Sequence, residues 1–382
     1  MWYYNYIKEN FVSHFQLFMS KQAHFKLNGD SIIMSRNKKF PPAKLKDLDV
    51  QSASHFMSLL KDIDKNPITL VLGAGISSSV GLPDWRKLLE KACSSFFTHW
   101  EFANEFGRLP KNRPPTDLSI AFAEEIFWHD SAVELAKKLT ENDVILVAQQ
   151  IKNCIRDRDW MYLLRHALYD DINYTSTTSN LIESLTEICV ENQNKVKAII
   201  NYNYDDLFEQ SLKAKGLPYK SMWYGKKIAK DRNHLIVYHP HGISSIGGGE
   251  ISNIIITESD YQQETKEPYS WANLVQLQLF SSSTCIFVGT SMTDPNIRRL
   301  LRISSSIFPN RHYTFLSTKE VEDDESKMFD SLFDYDLIKL GVKTIRYKIQ
   351  EGSGFPPHSK LPELIRRLNL SLRDKNYILE TD

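Results

Sequence analysis

Residues 68–86 read ITLVLGAGISSSVGLPDWR, and this stretch decides the fold. Ile68 to Leu72 is a short β-branched and leucine run that ends in Gly73-Ala74-Gly75. A strand running into a glycine turn is the expected opening of a doubly wound α/β domain. Without side chains at Gly73 and Gly75 the backbone can approach a diphosphate, and the amide groups that follow face the anion. Taken alone, the turn is a weak signal that fits a plain tight turn more readily than a nucleotide site. It fails the dehydrogenase fingerprint, because the third glycine of G-x-G-x-x-G falls on Ser78 and the next glycine is Gly81.

Outward from this turn the pattern changes twice. Between Trp85 and about Val190 apolar residues recur at helical spacing, with Leu88, Leu89, Ala92 and Phe96 followed by Ala121, Ile126, Ala132, Leu135, Ala136 and Leu139. Further helices are expected at 143–155, 159–172 and 180–190. Strands are then expected at VKAII (196–200), LIVYH (235–239), NIIIT (253–257), TCIFVG (284–289), HYTFLS (312–317) and VKTIRY (342–347). Helices at 205–215, 269–282, 294–306 and 320–340 separate most of them. The expectation is a Rossmann-like, doubly wound, mainly parallel α/β sheet covered on both faces, with a helical insert domain. Its parts are an N-terminal arm (1–50), a nucleotide-binding domain (51–350) interrupted by the insert (87–195), and a C-terminal helical tail (351–382). In that tail Leu361, Leu364, Ile365, Leu368 and Leu372 form an apolar stripe opposite Arg366, Arg367 and Arg373, suited to core packing or to subunit docking.

Composition sets limits on function. The 382 residues are 42% hydrophobic and 25% charged, as in an ordinary globular protein rather than a disordered one. Lys plus Arg and Asp plus Glu each number 47, so no basic excess points to direct nucleic-acid binding. Cys93, Cys154, Cys189 and Cys285 are widely spread and include no C-x-x-C pair, which leaves neither a disulfide framework nor the start of a zinc site. No run approaches the ~18 apolar residues of a membrane span. MWYYNYIKENF carries Lys8 and Glu9 where a signal peptide needs apolar residues. A cytoplasmic protein without membrane contact is expected.

Three further segments bear on chemistry. Asn201 to Asp205, NYNYD, follows an expected strand; His241-Gly242 follows another, within HPHG; and Gly289-Thr290-Ser291 closes a third. Each has a plain structural reading. Asn203 suits a helix cap or turn, Ser77 to Ser79 suit a cap of the next helix, and one of His239 and His241 faces the core of an alternating strand end. The histidine pair has no third metal ligand nearby, so no metal is expected.

Together and in order, GAGISSSVGLPDWR, NYNYD, His-Gly and Gly-Thr-Ser resemble the signature segments of the sirtuins, the silent-information-regulator family. The resemblance implies NAD as the bound nucleotide and substrate. It places Gly73, Ala74, Gly75 and Ser77 at the pyrophosphate, and Asp84, Trp85 and Arg86 in a loop closing over the nicotinamide half. Asn203 corresponds to the residue orienting the nicotinamide ribose and a water, Asp205 to the acid recognising the carboxamide, and His241 to the general base. Gly289, Thr290 and Ser291 would line the adenosine and phosphate end. The chemistry asks for such types: breaking the nicotinamide–ribose bond builds positive charge on the sugar, which calls for a neutral polar clamp and a base working near neutrality.

The departures from that family are equally informative. Protein-deacetylating sirtuins carry a four-cysteine zinc ribbon after His-Gly, where this chain has only Cys285, and Tyr202 and Trp85 replace a glutamine and a phenylalanine. The pattern is similar to the zinc-less bacterial sirtuin-like proteins of anti-phage defence, which deplete NAD. It implies an NAD glycohydrolase giving nicotinamide and ADP-ribose. A protein deacylase or ADP-ribosyltransferase, and a non-catalytic nucleotide-binding scaffold, are the alternatives. Because the chain ends at Asp382, soon after the last expected strand, control is expected from assembly or a partner. The resemblance extends to a homo-oligomer paired with a HerA-type hexameric ATPase.

Overall fold

A computed structural model describes residues 48–105, 130–169, 178–226, 233–248, 252, 254–307, 312–319, 323–349 and 357–374. All lie in one unit, Pro42–Asp382. Apart from Leu48, Asp49 and Val50, the expected arm 1–50 lies outside the described residues.

The described residues hold seven strands: β1 Ile68–Leu72, β2 Val196–Asn201, β3 Tyr219–Met222, β4 Leu235–Tyr238, β5 Thr284–Val288, β6 His312–Thr318 and β7 Val342–Lys348. They form one sheet in the order β3-β4-β2-β1-β5-β6-β7, and every neighbouring pair is parallel. The helices are α1 Val50–Lys65, α2 Ala74–Ser78, α3 Trp85–Glu105, α4 Asp130–Cys154, α5 Asp157–Tyr169, α6 Asn180–Glu191, α7 Leu207–Ala214, α8 Glu258–Lys266, α9 Trp271–Ser282, α10 Pro295–Ile307, α11 Asp324–Lys339 and α12 Lys360–Arg373. The doubly wound parallel sheet read from the sequence is the architecture observed.

The apolar runs account for strand position. ITLVL and TCIFV are buried along their whole length because helices cover both faces of the central strands. Leu88, Leu89, Ala92 and Phe96 of α3 are buried, as are Trp160, Leu163, Leu164, Ala167 and Leu168 of α5. Helix α3 packs against both α4 and α5. Within α4, Asp143 leaves helical geometry (φ −149°, ψ 85°). Its Oδ1 accepts the Leu146 N–H at 2.9 Å, so a new helical segment is capped there.

The expected strand at 253–257 and the outward placing of Arg367 are corrected, while the C-terminal stripe takes its core-packing reading. Residues 254–257 of NIIIT form no strand: Ile254 and Ile256 are buried, but the backbone is used elsewhere. Ile255 N–H donates to His241 O at 3.0 Å, Ile255 O accepts from the Tyr204 hydroxyl at 3.0 Å, and Ile256 N–H donates to the Asp260 carboxylate. The C-terminal stripe of α12 is core: Leu361, Leu364, Ile365 and Leu368 are buried, and Arg367, expected on the outer side, is buried with them. Asn369 fixes α12 to the end of α6 through Asn192 Nδ2 and Glu191 Oε2, each at 2.8 Å.

Candidate active site

The chain builds the sheet outward in one direction from β1 through β2, then crosses back to β5 and builds outward in the other. The reversal falls between β1 and β5, and ligand clefts of open parallel sheets form at the carboxyl ends of strands at such a point. The four quoted motifs follow β1, β2, β4 and β5, four adjacent strands, so the topology alone gathers them along one sheet edge.

The turns after β1 and β5 touch. Gly73 N–H donates to Val288 O at 3.0 Å and Gly75 N–H to Gly289 O at 2.8 Å. A Cβ on Gly73 would lie 2.6 Å from both Gly289 O and Thr290 Cγ2, and one on Gly75 would lie 2.8 Å from Gly289 Cα. The glycines are thus required by the meeting of two backbones. Gly289 has φ +69°, and Met292, buried just beyond it, has φ 59°. A non-glycine residue in that region is strained, and such strain gathers at functional turns. Thr290 Oγ1 bonds the Met292 sulfur, while Ser291 is exposed and pairs with Thr293 Oγ1 at 2.6 Å.

Ser77 and Asp205 join the β1 and β2 motifs: Ser77 Oγ donates to Asp205 Oδ2 at 2.5 Å, and Leu207 N–H donates to Asp205 Oδ1 at 3.1 Å. Burial pushes the Asp205 carboxyl up to about 6 against the pull of these two bonds, with Glu209 and Asp206 adding to the push. Asn203 is buried. Its N–H donates to Asn201 Oδ1 at 3.1 Å, its carbonyl faces His239 Nδ1 at 3.3 Å, and its side-chain amide has no hydrogen-bond partner among the described residues.

The two histidines of HPHG differ in role. His239 is fully buried, with Nε2 2.5 Å from Glu209 Oε1. Burial opposes its charge, but the Glu209 carboxylate outweighs burial and the pKa lies above the ordinary value. His239 is therefore an ion-paired core residue behind the site. His241 is the opposite case: burial lowers its pKa, Asp294 pulling the other way. Its Nε2 is buried with no hydrogen-bond partner among the described residues. Tyr202 and Tyr261 meet its ring edge-on, at centroid distances of 4.9 and 6.0 Å. An imidazole held neutral, gripped by two aromatic rings and left with a free ring nitrogen is equipped to accept a proton.

Asp84, Trp85 and Arg86 sit at the start of α3. Asp84 Oδ1 accepts the Lys87 N–H at 2.9 Å as a cap, Trp85 is exposed, and Arg86 pairs with Glu90 at 3.0 Å. Among the described residues no group of three His, Cys, Asp or Glu side chains is placed to hold a metal. Burial raises the Cys93 and Cys285 thiols to about 12, which leaves them protonated.

Sequence reading missed several neighbours. Tyr261 lies on α8, whose first turn is held from the insert by Lys152 Nζ on Asp260 at 2.7 Å and by Gln149 Oε1 on the Ser259 N–H at 2.8 Å. Burial, with the nearby Asp294 carboxylate, pushes the Tyr261 hydroxyl above the ordinary tyrosine value, and Asp294 caps α10 by accepting the Ile297 N–H at 2.8 Å. The segment after His241-Gly242 is clasped by α5. Arg165 donates to Ser245 O at 2.6 Å and Ile246 O at 2.7 Å, and the Tyr169 hydroxyl donates to Ser244 O. Only the D-P-N cap pattern at 294–296 could have flagged one of these.

Fold and site together define a Rossmann-like α/β protein whose candidate site lies at the topological switch point. Residues 197–338 match the family model of the SIR2-like domain, a range that takes in Asn203, His241 and Gly289 but not the turn after β1. The chain is 25% identical over 341 residues to the NAD(+) hydrolase ThsA of Bacillus cereus (strain MSX-D12), covering 84% of this chain and 57% of that protein. It is 26% identical over 241 residues to the NAD(+) hydrolase ThsA of Enterococcus faecium, covering 63% of this chain and 40% of that protein. The chain thus spans about half the length of these curated relatives. A solved Sir2 homologue in complex with NAD is similar at 14% identity and a TM-score of 0.34, covering 84% of this chain and 94% of that one.

Proposed function

We propose that the chain is an NAD glycohydrolase of the anti-phage defence type, with Asn203 and His241 as catalytic residues. Gly73, Ala74, Gly75, Ser77, Asp205, Gly289, Thr290 and Ser291 form the nucleotide site, with Asp84, Trp85 and Arg86 at its rim. The observation that carries this reading is His241: a buried, neutral imidazole whose Nε2 has no hydrogen-bond partner among the described residues, on the same sheet edge as the buried Asn203, whose side-chain amide has none among them either. Those two open polar groups fit a ribose and a water. The nicotinamide–ribose bond breaks with its electron pair leaving on nicotinamide, water oxygen bonds the anomeric carbon, and the water proton passes to His241. Asn203 holds the sugar and the water in line. Similarity to two proteins named as NAD(+) hydrolases supports the same reading.

The reading includes the division into arm, interrupted nucleotide domain and tail, a cytoplasmic location, a homo-oligomeric state and control by a hexameric ATPase partner. No described helix is long and apolar enough to cross a membrane. Product analysis of NAD incubated with the purified chain, beside Asn203→Ala and His241→Ala, tests the reaction. Nicotinamide and ADP-ribose formed without an acceptor and lost in both variants support it. Release only on adding an acyl-lysine peptide, or turnover unchanged by both substitutions, overturns it.

A further inference from the structure

Met292 is the only non-glycine residue with positive φ among the described residues, at 59°, and a side chain in that region persists only where its surroundings hold it. Three contacts do so. Its side chain is buried in the cluster that contains Ile297, Leu300, Leu301 and Leu337, its sulfur takes the Thr290 Oγ1 bond at 3.3 Å, and its carbonyl accepts from Arg298 Nη1 at 3.1 Å. The other amino group of the same guanidinium, Nη2, pairs with Asp336 Oδ2 on α11, and the guanidinium lies 5.9 Å from the centre of the Phe333 ring on that helix. Helix α11 is in turn fixed to β7, because Arg346 reaches Asp330 Oδ2 and Asp334 Oδ1, each at 2.8 Å. Arg298 thus ties the turn after β5 to a helix that carries none of the motifs. A planar guanidinium suits this task, since it donates to a carbonyl and a carboxylate in fixed directions at once.

The turn it holds is the one that meets β1. A Cβ on Gly73 would lie 2.6 Å from Thr290 Cγ2 and 2.8 Å from Thr290 Cα, so a shift at the Met292 end is carried to the glycine turn. We propose that Arg298, oriented by Asp336, is a positioning residue for nucleotide binding: it sets the backbone of Gly289-Thr290-Ser291 against Gly73 and so shapes the pocket for the phosphate and adenosine end of NAD. The inference rests on the proposed NAD site and adds to it a residue outside the motifs. The reacting end lies elsewhere: Asn203 and His241 follow β2 and β4, on the far side of β1 from this turn. Loss of Arg298 therefore weakens binding of substrate and transition state alike, which raises KM and leaves kcat in place.

Calorimetric titration of the purified chain with NAD, beside steady-state turnover across pH, tests it. Arg298→Met keeps an apolar stem against Phe333 and removes both polar contacts. Kd and KM for NAD are expected to rise about tenfold, the worth of one charge-assisted hydrogen bond, with kcat within about twofold. Arg298→Lys, which keeps the charge and reaches one partner at a time, is expected to recover part of the loss. Asp336→Ala is expected to raise both constants about threefold and, combined with Arg298→Met, to add nothing further. The Asp336 side chain is 44% exposed, so this variant keeps the test sharp even where Arg298→Met misfolds. The pH profile separates positioning from mere support of α10. That helix is capped by Asp294, whose charge bears on His241, so a loosened helix would move the acidic limb of the profile, whereas positioning leaves it in place. Unchanged Kd in a folded Arg298→Met overturns the inference alone, as does a moved limb or a fall in kcat at unaltered KM. Additive effects of the two substitutions overturn the role of Asp336. A wild type that binds no NAD overturns the proposed nucleotide site and this inference together.

Discussion

Ser77 Oγ donates a 2.5 Å hydrogen bond to Asp205 Oδ2, tying the turn after β1 to the segment after β2. The acceptor is a buried acid raised from 3.8 to about 6, chiefly by desolvation. Because the folded state holds this proton more tightly than the unfolded chain, the contribution to stability is full below about pH 4. It is lost as pH rises through about 6. Asp205→Asn keeps the neutral form at every pH, so its stability relative to wild type should rise by about 2–3 kcal/mol between pH 4 and pH 7.5. Urea denaturation of both chains across that range checks it, and a difference independent of pH contradicts the assignment.

The contact between the turns after β1 and β5 makes a second prediction. A Cβ at Gly75 would lie 2.8 Å from Gly289 Cα, and one at Gly289 would lie 2.8 Å from Ile76 N at φ +69°. Backbone atoms cannot swing aside, so Gly75→Ala and Gly289→Ala should each cost about 2–5 kcal/mol through crowding and strain. Gly81 has φ +94° with nothing within 4 Å, and Gly81→Ala should cost only the strain, about 1–3 kcal/mol. Thermal unfolding of the three variants ranks them. On the proposed reading the first two also lose NAD affinity.

How far the sequence could be read follows from the same contacts. Strands buried on both faces, such as ITLVL and TCIFV, announce themselves because a short, largely apolar, β-branched run that ends at a glycine suits a strand covered on both sides. Edge strand β3, Tyr219–Met222, has no such run; its YKSM is held by pairing with β4 and is half-buried at three of its four positions. NIIIT misled for the converse reason: two buried isoleucines make a strand pattern, while the backbone answers to His241 and Asp260. At the site, motif order identified the residues that close strands. Tyr261, Arg165 and Tyr169 escaped because they reach the site from helices outside the motifs, and no local pattern encodes that meeting; Asp294, three residues past Ser291, was signalled only as a helix cap. The two histidines of HPHG could be separated only by their surroundings, the Glu209 carboxylate on one and two aromatic rings on the other, whose Nε2 has no hydrogen-bond partner among the described residues.

That separation has a thermodynamic consequence for His239. The Glu209 pair is almost wholly desolvated, and removing one partner leaves the other buried without compensation. Glu209→Ala should therefore cost about 3–5 kcal/mol. Since the folded pKa of His239 is raised, its contribution is complete below the ordinary histidine value. It declines as pH rises through the raised one. The gap in stability between wild type and Glu209→Ala should accordingly narrow at alkaline pH, as denaturation at pH 6 and pH 9 will record. A gap that widens would assign the proton elsewhere.

For His241 the sign is reversed and the readout is catalytic. Burial lowers its pKa from 6.5, so the base is free at neutral pH. On the proposed reaction kcat/KM should be level above pH 7 and fall only as pH drops through that lowered value. His241→Ala should reduce kcat by about 10²–10⁴ and remove this limb. Asp294 supplies the negative charge that favours the imidazolium, and Tyr202 and Tyr261 are the other titratable groups against the ring. Asparagine caps a helix about as well as aspartate, so Asp294→Asn keeps the cap on the Ile297 N–H and removes only the charge. The acidic limb should then move to still lower pH, with the fold unchanged. A limb that stays in place would show that Asp294 acts on the helix alone, and one that moves upward would show that the titrating group is not His241.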